Sequence, residues 1–183
     1  LTASADFLAG DGWTVTPVCT SDATSGSPVG SYPIACSGGS NANYAPGYSD
    51  GTLTVTRRAV TVTASDGTKV YGEADPALGY AVTAGSLVAG DGFTGTPVRV
   101  AGENVGRYEI TQGTLALSSD YTLTVVAGGF TVTPRALHVS ADSTTRTYGE
   151  PNPTFTASAD FLAGDGWTVA PVCTSDATSG SPV

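Results

Sequence analysis

The first 29 residues of the chain return almost unchanged at its far end. Leu1 to Val29 reads LTASADFLAGDGWTVTPVCTSDATSGSPV, and Phe155 to Val183 repeats it at an offset of 154. Only Leu1/Phe155 and Thr16/Ala170 differ, so 27 of 29 positions agree. A chain built this way folds as copies of one unit, stacked or strung together, rather than around one large core. Arrays of this kind serve reach, or many weak contacts summed.

A second period lies inside the first. Tyr71-Gly72-Glu73 recurs as Tyr148-Gly149-Glu150, an offset of 77, and Arg58-Ala59 recurs as Arg135-Ala136. Asn43-Tyr44 aligns with Asp120-Tyr121, and the run from Gly51 to Thr56 aligns with that from Gly128 to Thr133. The expected organisation is residues 1–57 as the C-terminal part of one module, 58–134 as a complete module, and 135–183 as the N-terminal part of the next. On this reading the chain is a window on a longer array. The missing parts then lie further along the polypeptide or come from a neighbouring copy in a fibre.

Composition narrows the class. Gly (24), Pro (11), Thr, Val and Ser crowd out helix formers, and only 13% of residues are charged, which favours strands and turns. The net charge of −9 opposes nucleic-acid binding, which needs a basic face. No apolar run approaches the ~18 residues of a membrane span. No signal peptide is visible, and none is expected in a chain that begins inside a module.

Alternating apolar and polar residues mark strands at 59–64 and 121–125, with another at 130–133. Gly128-Gly129 suits the positive φ of a tight hairpin between the last two. Further strands are expected at 78–84, 93–100 and 106–112, and 85–89 has room for one helical turn. The expected fold is all-β: tandem antiparallel sandwiches of 77 residues, immunoglobulin-like or β-grasp-related, in an elongated rod. The junctions Thr56-Arg57-Arg58-Ala59 and Thr133-Pro134-Arg135-Ala136 carry no Gly/Ser spacer, so a stiff connection is expected.

The motif Tyr71-Gly72-Glu73-Ala74-Asp75-Pro76, followed by Gly85-Ser86-Leu87-Val88-Ala89-Gly90-Asp91 and by the run from Ala101 to Leu115, resembles the MBG domain of the YGX type. The closing segments 120–123 and 130–132 fit the same pattern, as does Val29-Gly30-Ser31-Tyr32 in the preceding module. The resemblance covers the whole chain. It implies a β-rich surface module, found in tandem in large bacterial surface and secreted adhesins of the filamentous-haemagglutinin type. It implies no catalytic residue.

Candidate chemistry is sparse. Cys19 and Cys36 fall in one module, and Cys173 repeats Cys19; a repeat of Cys36 would fall past Val183. The corresponding positions of the next module are Arg99 and Gln112, so both thiols are lost together. A Cys19–Cys36 disulfide is expected, in an oxidising extracellular setting, with Cys173 pairing beyond the chain end. The pairing requires an arch through 20–28, because a plain hairpin would set Cys19 opposite the start of the second strand. Trp13, Tyr71, Tyr148 and Trp167 are candidate platforms for a host glycan or matrix protein. Packing near a strand start or a domain junction competes with that reading and is preferred.

The Asp-Gly aspartates Asp11, Asp50, Asp66, Asp91 and Asp165 lack the alternating ligands of a calcium loop, and no metal or cofactor is expected. Lys69 becomes Arg146 in the next module, against a Lys–Asn crosslink in every copy. His138, the sole histidine, matches Thr61 one module earlier, and no nucleophile elbow or phosphate loop is present. The chain is read as a non-enzymatic stalk whose partners are neighbouring repeats. Weak ligand binding multiplied by repetition is the alternative.

Overall fold

The computed structural model describes residues 5–181, so the outermost positions of the two 29-residue copies lie outside the described residues. The described residues form twelve short strands and no helix. In chain order these are β1 (Val18–Thr20), β2 (Gly30–Ser37), β3 (Gly51–Val55), β4 (Arg58–Ala64), β5 (Gly67–Val70) and β6 (Tyr80–Ala84). They continue with β7 (Val98–Arg99), β8 (Gly106–Thr111), β9 (Tyr121–Val126), β10 (Gly128–Thr133), β11 (Val139–Ala141) and β12 (Ala157–Ala159). Hydrogen-bonded neighbours give the sheets β1-β2-β3, β6-β4-β9 and β11-β12, with β5 paired to β10 and β7 to β8. The chain is all-β, as composition and periodicity require.

Two compact units divide the chain, and the division falls inside 58–134. One holds the chain up to Asp66 with Leu78–Val100 and Glu109–Gly129; the other holds Gly67–Ala77, Ala101–Tyr108 and the described chain from Phe130 onward. In the first unit, β4 alternates strictly: Val60, Val62 and Ala64 are buried, while Thr61 and Thr63 are half-exposed. Ile110, Leu115 and Tyr121 are buried in the same unit. In the second, Phe130 and Val132 of β10 are fully buried, and Thr131 between them faces out. This period of two is the signature of a strand with one face packed and one wet.

The sheets are mixed rather than wholly antiparallel. β4 pairs antiparallel with β6 but parallel with β9, and β5 pairs parallel with β10. Parallel pairing needs a long crossover, and the chain between β4 and β9 provides it.

Three local expectations change, and one strand within 58–134 is added. Gly128-Gly129 makes no hairpin turn: neither glycine has positive φ, and β10 begins at Gly128. A Cβ at Gly128 would lie 2.6 Å from the Ala64 carbonyl oxygen, so glycine is there to let two backbones approach. The expected strand at 93–100 shrinks to β7, because Pro97 has no amide to donate; ahead of it Thr94 bridges Ala116. Residues 85–89 form no helix, Gly85 adopting a φ of 76°. Strand β5 has no apolar alternation to mark it in the sequence, because its inward position is held by Lys69, 7% exposed.

In the first unit β1 and β2 are antiparallel, and Cys19 sits directly opposite Cys36. The two are disulfide-bonded, with an S–S distance of 2.03 Å and Cα atoms 4.0 Å apart. Thr20 pairs with Ala35 near the end of β2, yet the chain re-enters β2 at Gly30. β1 and β2 are thus consecutive antiparallel strands with 21–29 as a long hairpin loop, and Cys19 reaches Cys36 without the expected arch because β1 lies against the end of β2 rather than its start.

Candidate functional site

Two junctions between repeats can be built from their residues, each inside one unit. At the first, only Thr56 and Arg57 separate β3 from β4. The Arg57 Nε donates to the Ser119 carbonyl at 3.0 Å, and the Val29 amide donates to Asp120 Oδ1 at 2.8 Å. Arg58 donates from Nε to the Ser86 carbonyl at 2.7 Å and from Nη2 to Ser86 Oγ at 2.6 Å. An open cavity of about 560 Å³ remains beside these contacts, lined by Pro28, Val29, Arg57, Arg58, Asp91 and Tyr121 among others.

At the second junction Pro134 and Arg135 follow β10. Arg135 Nη1 lies 3.7 Å from Glu73 Oε1, and the Tyr71 hydroxyl donates to Asp165 Oδ1 at 3.0 Å. Leu162 packs over Gly72, where a Cβ would collide with its Cδ1. An open cavity of about 300 Å³ is lined by Tyr71, Val105, Pro134, Leu137, Phe161 and Asp165 among others. The hydrogen bond to the Asp165 carboxylate raises the pKa of Tyr71, since ionising it would set two negative charges together.

A tyrosine–aspartate pair recurs. Tyr44 donates to Asp11 Oδ2 at 2.7 Å and accepts the Leu8 amide at 3.0 Å. Tyr121 donates to Asp91 and accepts the Val88 amide at 2.9 Å. For Tyr44 the Leu8 amide pulls the pKa down, but Asp11 and burial together outweigh it and the net direction is up. For Tyr121 the Asp91 hydrogen bond dominates and raises the pKa, against the Val88 amide. Asp66, the aspartate of another Asp-Gly pair, accepts the Gly129 amide at 2.6 Å. The Asp-Gly aspartates Asp11, Asp66, Asp91 and Asp165 thus act as acceptors that pin loops.

The four aromatic candidates are not gathered into one site. Trp13 is half-buried, its ring edge-on to Phe7 at 5.0 Å, and Phe7 is in turn 5.0 Å from Tyr44. Trp167 meets Phe161 in the same way at 4.9 Å but is 38% exposed. Tyr71 lines the second junction cavity, which neither Tyr148 nor Trp167 lines, and Tyr148 is 66% exposed. Phe93, at the position matching Trp13, packs against Tyr80 at 5.2 Å. The Cys173 thiol is free and half-buried. His138 is exposed beside Ser140 Oγ, 3.3 Å from its Nδ1.

Sequence reasoning passed over three groups. The Asp120 and Arg57 contacts were invisible because they run to backbone atoms. The Tyr44 and Tyr121 pairs did leave a signal, their recurrence 77 positions apart, but no partner could be named from it. Nothing in the sequence marks Lys69 as buried, yet it is 7% exposed. Its ammonium is enclosed by Asp75, at 2.7 Å, and Glu103. Asp75 first, then Glu103, raise its pKa and hold the charge. Its counterpart Arg146 instead donates to the Glu150 and Thr178 carbonyls.

These features define a tandem array of small β-modules tied at short junctions. The family model for the MBG domain (YGX type) matches residues 1–54, 60–131 and 137–183. The chain belongs to that family, as three tandem repeats. No curated protein and no solved structure matches it. No helix among the described residues is long and apolar enough to cross a membrane.

Proposed function

We propose that this chain is a stalk region of a bacterial extracellular adhesin or surface fibre, one that holds a binding tip away from the cell. On this reading residues 58–134 are a complete module, and 1–57 and 135–183 are parts of its neighbours. The observation that carries the proposal is the build of the junctions. Two residues link β3 to β4, and the Arg57 and Val29 contacts tie the step down. At the next step Tyr71 and Arg135 do the same. Spacing repeats at a fixed distance needs such ties; a flexible string does not. The Cys19–Cys36 bond supports an oxidising, extracellular location.

The test is length. Chains of one, two and three 154-residue units are compared by small-angle scattering. A maximum dimension that grows in proportion to the number of units supports a stalk, and growth as the square root would refute it.

The exposure of Tyr148 and Trp167 favours a second reading, in which the repeats bind glycan or host matrix protein weakly and act by avidity. Multivalent display on a glycan and matrix-protein panel separates the two. Saturable binding lost in Trp167→Ala or Tyr148→Ala favours adhesion by the repeats, and its absence at high valency favours the stalk.

A further inference from the structure

In the first unit, β4 and β9 run parallel with six partnered positions, from Arg58↔Tyr121 to Thr63↔Val126. In the second, β5 and β10 run parallel with four, from Gly67↔Phe130 to Val70↔Thr133. Every partner in both pairs is 63 positions away. The stretch that opens 58–134 is therefore paired, in one direction and one register, with the stretch that closes it.

Strand direction decides how such a ladder meets a pull. Tension along a tandem chain enters a repeat at its first strand and leaves at its last. In a parallel pair, the start of one strand and the end of its partner lie at opposite ends of the ladder. The pull then slides the strands past each other, loading all the hydrogen bonds together. The antiparallel pair β2/β3 shows the opposite case. Gly30, where β2 starts, is partnered with Val55, where β3 ends, so a pull on those two points would open the bonds one at a time.

We propose that the repeat is a load-bearing element, with β4/β9 and β5/β10 acting as two shear clamps against tension along the chain. The proposal rests on the stalk reading above and gives it a physical task, to transmit force between a surface and whatever is bound. The side chains agree with that task. Val60 and Val62 of β4 and Phe130 and Val132 of β10 are at most 1% exposed, which limits access of competing water on that face. Side-chain bonds reinforce the β5/β10 ladder. Thr68 Oγ1 donates to the Thr131 carbonyl at 3.0 Å, and Thr133 Oγ1 to the Lys69 carbonyl at 3.1 Å. Lys69, centred in β5, is anchored by Asp75 and Glu103.

The experiment is single-molecule force spectroscopy on the whole chain with two placements of the handles, attached through non-cysteine chemistry so that the disulfide stays intact. Handles at Thr56 and Ala136 pull the repeat from its two ends. Handles at Thr56 and Ser118 pull β4 and β9 from the same end and peel them apart. Because forced unfolding is governed by the barrier rather than the equilibrium stability, the first placement should rupture at several-fold higher force. Equal forces would overturn the clamp and leave the stalk reading standing. Conversely, square-root growth in the scattering test would overturn the stalk and leave the force difference intact. The pair Thr68→Ala, Thr133→Val provides a second measurement, since it keeps the buried face. It should lower the end-to-end rupture force with little change in chemical denaturation midpoint; an unchanged force would count against the β5/β10 clamp.

Discussion

Residues 5–27 and 159–181 are nearly the same sequence in different surroundings, and the structure separates what the sequence does alone from what it needs a partner to do. The aromatic corner is the same in both: Phe7 and Trp13 meet at 5.0 Å and 88°, Phe161 and Trp167 at 4.9 Å and 87°. The turns are the same too, Gly10 and Gly164 both having φ of 96°. Beyond the corner the copies diverge. Val18–Thr20 is a strand because β2 lies beside it, whereas no strand is assigned at 172–174. Val18 is 65% exposed and Val172 90%. Short-range contacts thus fix the corner, and the strand is decided by its neighbour.

The sharpest way to break the comparison is through sulfur. Replacing Cys19 and Cys36 together by Ala should destabilise the first repeat by about 3 kcal/mol, the chain-entropy value for a loop of this size. In this chain the Cys173 thiol is free, and its replacement here should change stability by less than about 0.5 kcal/mol. Denaturant-dependent amide exchange, read separately over 5–55 and 137–181, distinguishes the two. A loss shared equally by both regions would show that the disulfide acts beyond its own repeat.

Next comes tryptophan. Trp13 is half-buried, with Phe7 and Tyr44 forming its aromatic cluster, and its truncation to Ala should cost about 2 kcal/mol. Trp167 has Phe161 but greater exposure, and the same change there should cost less than about 1 kcal/mol. Chemical denaturation of the two variants checks the ratio, and equal costs would mean that the local corner carries all the stability. A smaller effect of the opposite sense is expected one residue after the phenylalanine. Leu8 is 74% exposed, whereas Leu162 is half-buried over Gly72. Leu162→Ala should cost about 1 kcal/mol and Leu8→Ala less than about 0.5 kcal/mol by the same measurement.

The contrast also explains which features could be read from sequence. Strand β4 was legible because its apolar positions alternate without interruption, and the cysteine pair because both thiols vanish together in the next module. Strand β5 was hidden by Lys69, whose inward place makes sense only once Asp75 and Glu103 close around it. Gly128 misled because a glycine pair specifies freedom of backbone without saying whether a turn or a close approach uses it. Parallel pairing of β4 with β9 leaves no local trace at all, since it joins residues 63 positions apart. The junctions were legible as short but not as tied, because Arg57 and Asp120 bind backbone atoms.

The weakest expected effect is titration, and it too divides the copies. Tyr44 donates to Asp11 of the first and Tyr71 to Asp165 of the second. The pKa of each hydroxyl is raised above its ordinary value of 10.0, as is that of Tyr121, and that of the Lys69 ammonium is raised above 10.5. In the interval between unfolded and folded pKa, the folded chain keeps a proton that the unfolded chain has released. Stability must then fall as pH rises through that interval. The contribution is complete below pH 10.0 and is lost above it. On the acid side, Thr156 and then Ser158 lower the Asp142 pKa below 3.8, so its share is lost as pH falls beneath that value. Denaturation midpoints measured from pH 7 upward should stay level and then drop, with Tyr44→Phe reducing the drop for 5–55 and Tyr71→Phe for 137–181. If either variant flattened both regions equally, the tyrosine–aspartate pairs would not be the local ties that their geometry describes.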